Sequence, residues 1–264
     1  MRRSAVLVVA GSDSSGGAGI ACDVRTLDDF GADALCVITA VTAQSNRRVS
    51  SIHHVPPAVI RAQIEAAFQT REPCAVKLGM LGCRATVEAV AAGLRAHETL
   101  PWVLDPVLAS SSGGVLLDSE GRVALLARLL PHAALVTPNA PEAAVLLGED
   151  PAADDDRATD AYQATDEATL RAQAQRILAL GPRAVLLKGG HGRGEEAVDW
   201  LVSRDRPPER IASARVPAAR RGTGCALASA IAVQLGAGRP LDESCRRAKA
   251  YVVDLLRAAA RDEY

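Results

Sequence analysis

The chain has 264 residues, 48% hydrophobic but only 3% aromatic, with a formal net charge of −1. That is enough apolar material for a sizeable core, which must be built from Ala, Val, Leu and Ile. The near-neutral balance excludes a protein drawn to nucleic acid or to acidic membranes by charge alone.

In chain order, short β-rich runs alternate with segments of helical period. Ala5–Ala10 reads as a buried strand, Ile20–Phe30 as a helix and Leu35–Ala43 as a second strand. Pro57–Gln69 is a helix with proline near its first turn. Ala75–Leu78 is a short strand, Arg84–Ala96 a helix, and Trp102–Leu104 a strand stopped by Asp105 and Pro106. Ser119–Leu130 is helical, Ala134–Val136 a strand and Pro141–Leu147 a short helix. Glu149–Asp166, which carries Asp154, Asp155 and Asp156, reads as an exposed loop. Ala168–Leu180 is a helix and Ala184–Leu187 a strand. Val198–Val202 and Arg210–Val216 form a more polar, hairpin-like pair, and the helices Cys225–Leu235 and Leu241–Ala260 follow. The rhythm implies an α/β fold, a mostly parallel sheet with helices on both faces, in one domain over residues 1–264.

Six cysteines (22, 36, 74, 83, 225 and 245) include no C-x-x-C pair, so neither a zinc site nor a disulfide framework is expected. Scattered thiols suit a reducing compartment. The apolar run after Met1–Ser4 is too short for a signal h-region, and no run approaches a membrane span, so a cytoplasmic location is expected. The five histidines (53, 54, 97, 132 and 191) show no ligand spacing. Of the 30 basic residues only Lys77, Lys188 and Lys249 are lysine. Each merits attention, because Lys and Arg bind anions differently.

Ligands of an open α/β sheet bind beyond the carboxyl ends of its strands, and the unusual residues here follow strands. Gly11–Gly19 is either a tight strand-to-helix turn or a backbone that a planar ligand can approach closely. Asp23 lies about one turn into the next helix, a polar-face residue or one pointing back at that ligand. Gln44 ends an apolar strand, either as a plain strand-end polar residue or as an amide offering the donor and acceptor that an aminopyrimidine edge needs. Asp105 and Glu142 could attend a Mg²⁺ ion, or cap helices as Asn139 could. Lys188 could reach nucleotide phosphates. Gly222-Thr223-Gly224-Cys225 opens a helix almost free of charge. Its free N–H groups and dipole form an anion site, and the same position favours the thiolate of Cys225.

Seven segments carry a resemblance that covers nearly the whole chain: AGSDSSGGAGI (10–20), ITAVTAQ (38–44), VKLGMLG (76–82), VLDPV (103–107), VTPNAPEA (136–143), LLKGGH (186–191) and GTGCALASAIA (222–232). In this order they resemble the hydroxymethylpyrimidine/phosphomethylpyrimidine kinases of thiamine biosynthesis, in the ribokinase-like superfamily. The resemblance implies a three-layer αβα sandwich that is commonly dimeric. It implies ATP-dependent phosphorylation of 4-amino-5-hydroxymethyl-2-methylpyrimidine and then of its monophosphate. By position, Gly11, Asp23, Gln44, Met80 and Val107 would line the pyrimidine pocket. Gly222, Thr223, Gly224 and Cys225 would form the anion hole, with Cys225 as base. Asp105, Asn139 and Glu142 would organise Mg²⁺ and phosphate, and Lys188 would meet the nucleotide.

The chain departs from this pattern where Val216–Arg221 (VPAARR) replaces the family's usual Asp-Thr-x-Asn-Thr-His, and where Ala226 replaces Thr. Arg220 and Arg221 are expected to take over phosphate contacts, since guanidinium forks suit phosphate oxygens. Residues 44–48 also differ from the usual Gln-Asn-Thr-x-Gly, in a mobile flap over the substrate. Two other readings are a pyridoxal kinase of the same fold and a non-catalytic pyrimidine sensor.

Overall fold

The computed structural model describes residues 3–110, 114–149, 166–190 and 194–262. Among them nine strands form one sheet: β1 (Ala5–Asp13), β2 (Asp33–Gln44), β3 (Val49–His54), β4 (Ala75–Leu78), β5 (Trp102–Leu104), β6 (Leu135–Val136), β7 (Ala184–Lys188), β8 (Glu196–Ser203) and β9 (Glu209–Ala214). Their spatial order is β3-β2-β1-β4-β5-β6-β7-β8-β9. The six strands from β2 to β7 are parallel, while β3 at one side and β8 and β9 at the other pair antiparallel. The described helices are α1 (Gly19–Asp29), α2 (Pro57–Thr70), α3 (Arg84–Leu94), α4 (Ser119–Arg128), α5 (Ala140–Leu146), α6 (Glu167–Ala179), α7 (Thr223–Gly236) and α8 (Leu241–Asp262).

The central strands are apolar on both faces because helices cover both. Along β1, Leu7 and Val9 join one core with Ile60 and Ile64 of α2, Val90 of α3 and Leu125 of α4. Val6, Val8 and Ala10 join the opposite core with Leu27 of α1, Ile231 of α7 and Ala248 of α8. Alternate residues of a strand point to opposite faces, so one short strand feeds both cores. α7 is buried at every position from Ala226 to Gln234, which explains its lack of charge. The αβα fold expected from the alternation is the one observed. No described helix is long and apolar enough to cross a membrane.

Beyond shifts of a residue or two at other element ends, two departures from expectation have a clear physical cause. β1 runs on to Asp13, because Ser12 and Asp13 still pair with Val41 and Thr42 past an irregularity after Ala10. β3 was not expected at all. Its sequence, VSSIHH, has weak alternation, and the strand forms at the sheet edge by pairing with β2, Gln44 opposite Val49. The segment expected as a flap is therefore the short turn of a hairpin. The expected 149–166 loop, apart from its ends, and His191 lie outside the described residues.

β1 has β2 on one side and β4 on the other, so successive strands are laid down in opposite directions from it. Such a reversal opens a crevice beyond the carboxyl ends of the two strands.

Candidate active site

Gly11, near the end of β1, lies directly under Met80, which follows β4. A Cβ on Gly11 would come 2.7 Å from the Met80 sulfur, so glycine is needed for the side chain to lie there. Met80 packs with Ala40 and Leu116 in a small apolar cluster, and Val49, Ile52 and Val107 close around it. Three of the expected pyrimidine residues, Gly11, Met80 and Val107, therefore do meet. Gln44 stands at the rim. Its side-chain oxygen accepts from the Thr42 hydroxyl at 3.2 Å, and its backbone is tied to Ser14.

Asp23 requires a correction. It has no exposed surface, and its oxygens accept from Lys77 Nζ at 2.9 Å and from the Ser229 hydroxyl at 2.8 Å. It is an interior counter-ion beneath the crevice and presents nothing to a ligand in this structure. Lys77 is equally buried. Burial opposes its charge, but Asp23, Cys225 and Asp105 hold it above the ordinary lysine range. The Lys77 ammonium packs beneath Gly79, where a Cβ would stand 2.7 Å from it. The pair thus joins α1, β4 and α7, each of which leads to a different wall of the crevice. Burying such a pair is costly, so its partners must stay matched. Lys77 stood out from sequence only as one of three lysines, without a partner, and Ser229 not at all. The available signal was a lysine inside the apolar run of β4 in a chain that otherwise uses arginine.

α7 begins at Gly222, which adopts φ +78°. A Cβ there would overlap the Gly17 carbonyl oxygen and crowd the Cys22 sulfur, so the helix start is clasped by the glycine-rich loop. No side chain among the described residues caps it, and the first intrahelical bond is from the Ala226 N–H to the Gly222 carbonyl. The N–H groups of Thr223, Gly224 and Cys225 precede that bond, as an anion site requires. At Cys225 the surroundings favour the thiol over the expected thiolate. Burial pushes the thiol up to about 12, against the pull of the Lys77 ammonium, and Asp23 and Asp105 add to the rise.

Gly224 lies over the next cluster. A Cβ on it would be 3.2 Å from Lys188 Nζ and 3.6 Å from an Asp105 oxygen. Lys188, at the end of β7, donates to Asp105 at 3.0 Å and has Glu142 at 3.8 Å, and Thr137 also donates to Asp105 at 3.1 Å. Asn139 and Glu142 form a reciprocal capping box at the start of α5, each side chain accepting from the other's N–H at 2.8 Å. The capping alternative is therefore realised, and Glu142 faces Lys188 as well. Burial pushes the Glu142 carboxyl up to about 7, with Lys188 opposing and Asp105 adding.

Arg221 is the second correction. Rather than standing free for a phosphate, its guanidinium donates to Ser15 Oγ at 2.7 Å, Asp13 Oδ2 at 3.1 Å, and the Ser45 carbonyl and Asn46 Oδ1 at 3.2 Å. Arg220 is exposed and, among the described residues, reaches the Leu255 carbonyl at 3.5 Å. A separate cavity of about 290 Å³, between Pro101, Ala184, Leu201 and Arg206, opens at the opposite edge of the sheet and gathers none of these motifs.

Comparison with known proteins bears on this arrangement. The family model for phosphomethylpyrimidine kinase matches residues 13–262. A hydroxymethylpyrimidine/phosphomethylpyrimidine kinase of Rhizobium meliloti is 41% identical over 263 residues, covering 97% of this chain and 92% of that protein. The crystal structure of phosphomethylpyrimidine kinase from Clostridium difficile is 34% identical, with a TM-score of 0.79 over 96% of this chain and 99% of that one. The pyridoxal kinase of Staphylococcus aureus, solved with AMP-PCP and pyridoxal, is 26% identical, with a TM-score of 0.82 over 96% and 87% of the two chains.

Proposed function

The chain belongs to the phosphomethylpyrimidine kinase family, and from that premise we propose that it phosphorylates 4-amino-5-hydroxymethyl-2-methylpyrimidine and then its monophosphate, with ATP as donor, in thiamine biosynthesis. The observation that carries this reading is the contiguity of the two half-sites. The start of α7 adjoins the Lys188–Asp105 pair through Gly224 and the Gly11–Gly19 loop through Gly222.

Gly11, Met80 and Val107 form the apolar bed for the pyrimidine ring, and Gln44 reads its amino edge. Asp23 acts from below by fixing Lys77. The N–H groups of Thr223, Gly224 and Cys225 face the transferring phosphoryl group, with Gly222 setting their direction. Phosphoryl transfer passes through a loose transition state in which charge spreads over the phosphoryl oxygens. Fixed donors aimed at that charge therefore matter more than a strong base. Cys225 orients the acceptor hydroxyl, and it can take that hydroxyl's proton as the new bond forms only as the thiolate, after its own proton has passed to solvent.

Lys188 and the Asn139 turn attend the nucleotide phosphates. Asp105 and Glu142 offer hard carboxylate oxygens beside a region that would hold phosphate, a donor set that fits Mg²⁺ with water and phosphate completing the shell. Bound there, Mg²⁺ would neutralise phosphate charge. The same reading implies a homodimer working in the cytoplasm on small molecules, without nucleic-acid or membrane partners.

The test is ADP release by the purified protein supplied with Mg-ATP and the hydroxymethylpyrimidine, its monophosphate or pyridoxal. Turnover of both pyrimidines, with pyridoxal the poorer acceptor, is expected. A preference for pyridoxal would replace this reading by that of a pyridoxal kinase. Pyrimidine binding with no turnover would make the protein a sensor.

A further inference from the structure

The Arg221 guanidinium connects three loops that meet at the crevice. It is only 17% exposed, and its Asp13 partner 4%. Asp13 is the hub of the glycine-rich loop: its carboxylate also accepts from the Ser15 N–H at 2.9 Å, the Ser15 hydroxyl at 2.8 Å and the Ala18 N–H at 3.0 Å. On the other side Arg221 reaches Ser45 and Asn46, in the turn between β2 and β3. That turn is bounded by Gln44 and Val49, the first at the rim of the apolar pocket and the second packed against it. Arg221 itself immediately precedes Gly222, where the anion-hole helix begins.

We propose that Arg221 is a positioning residue for the acceptor. Its fork holds the 45–48 turn, and with it Gln44 and Val49, in register with the start of α7. The partners are acceptor-side loops, so the residue governs the pyrimidine pocket and leaves the nucleotide to Lys188. Nη1 reaches Ser15, Ser45 and Asn46 while Nη2 holds Asp13, so the fork offers two attachment points where an ammonium has a single nitrogen. The inference rests on the kinase reading for its effect on turnover, but the tethering itself is independent of that reading.

The experiment compares wild type, Arg221→Ala and Arg221→Lys by peptide-resolved hydrogen exchange without ligand and by steady-state kinetics. In Arg221→Ala the amides of residues 45–49 should exchange faster, while those of β4 and β5 stay protected. The KM for the hydroxymethylpyrimidine should rise about tenfold or more, the loss of roughly one charge-assisted hydrogen bond, and the KM for ATP should be unchanged. Arg221→Lys should keep the link to Asp13 and fall between the two. Unaltered exchange at 45–49 would overturn the tether, and so would a raised ATP KM with an unchanged pyrimidine KM. If wild type turned over neither pyrimidine, the kinase reading would fail while the exchange comparison still decided the tether.

Discussion

Cys225 carries opposing influences that can be separated. Burial raises the thiol, while the ammonium of Lys77 pulls it down less strongly, leaving it at about 12 against an ordinary 9.0. Because the folded chain keeps its proton where the unfolded chain has lost it, stability falls as pH rises between those two values. Alkaline urea titrations should show that fall, and Cys225→Ser should reduce it. At about pH 8 iodoacetamide should modify the exposed Cys36 well before Cys225, because the thiolate is the nucleophile. Equal labelling of the two peptides would mean that the thiolate is present after all. The site residues show what could be read beforehand and what could not. Gly11, Met80, Val107, Lys188 and Asp105 announce themselves by standing at or just beyond strand ends, since topology alone sends strand ends to one edge. Asp23 and Arg221 were placed on the right elements but with the wrong partners. Which oxygen a charged side chain reaches depends on packing between residues about 200 positions apart, and no local pattern encodes that.

Elements set the direction of the donors. α7 was legible because a charge-free run of Ala, Leu, Ile and Val after Gly-Thr-Gly must be a buried helix, and the strands with two apolar faces were legible for the same reason. β3 was not legible, because its side chains are mostly exposed and its stability comes from pairing with β2. The start of α7 depends on Gly222. Alanine there would meet the left-handed backbone at about 1–2 kcal/mol and would also overlap the Gly17 carbonyl oxygen. The helix start would have to move away from the glycine loop, carrying the N–H groups of Gly224 and Cys225 off target. One misplaced donor in an oxyanion-type site costs about a hundredfold or more in kcat. Gly222→Ala should therefore lose kcat by at least that factor while α7, packed along its length, remains helical by circular dichroism. A variant with wild-type kcat would exclude this turn from the anion hole.

At the scale of the molecule, the three lysines share one design. Lys77 with Asp23, Lys188 with Asp105 and Lys249 with Asp199 are largely buried pairs at 2.7–3.0 Å. A compact ammonium fits where the forked guanidinium of the 27 arginines would not. Asp199 also accepts from the Gly189 N–H, so the third pair holds the residue next to Lys188. These pairs and the two apolar cores all hang on one continuous sheet, whose strands send alternate side chains into both cores. Neither core can lose its strands without exposing the other, so the chain should unfold as a single cooperative unit. Scanning calorimetry is expected to give one transition with equal calorimetric and van't Hoff enthalpies. On the proposed function nucleotide binds the folded edge alone, so Mg-ATP at about a hundred times its Kd should add about 2.7 kcal/mol and move the whole transition upward. Two resolved transitions, with nucleotide shifting just one, would instead divide the chain into independently stable parts.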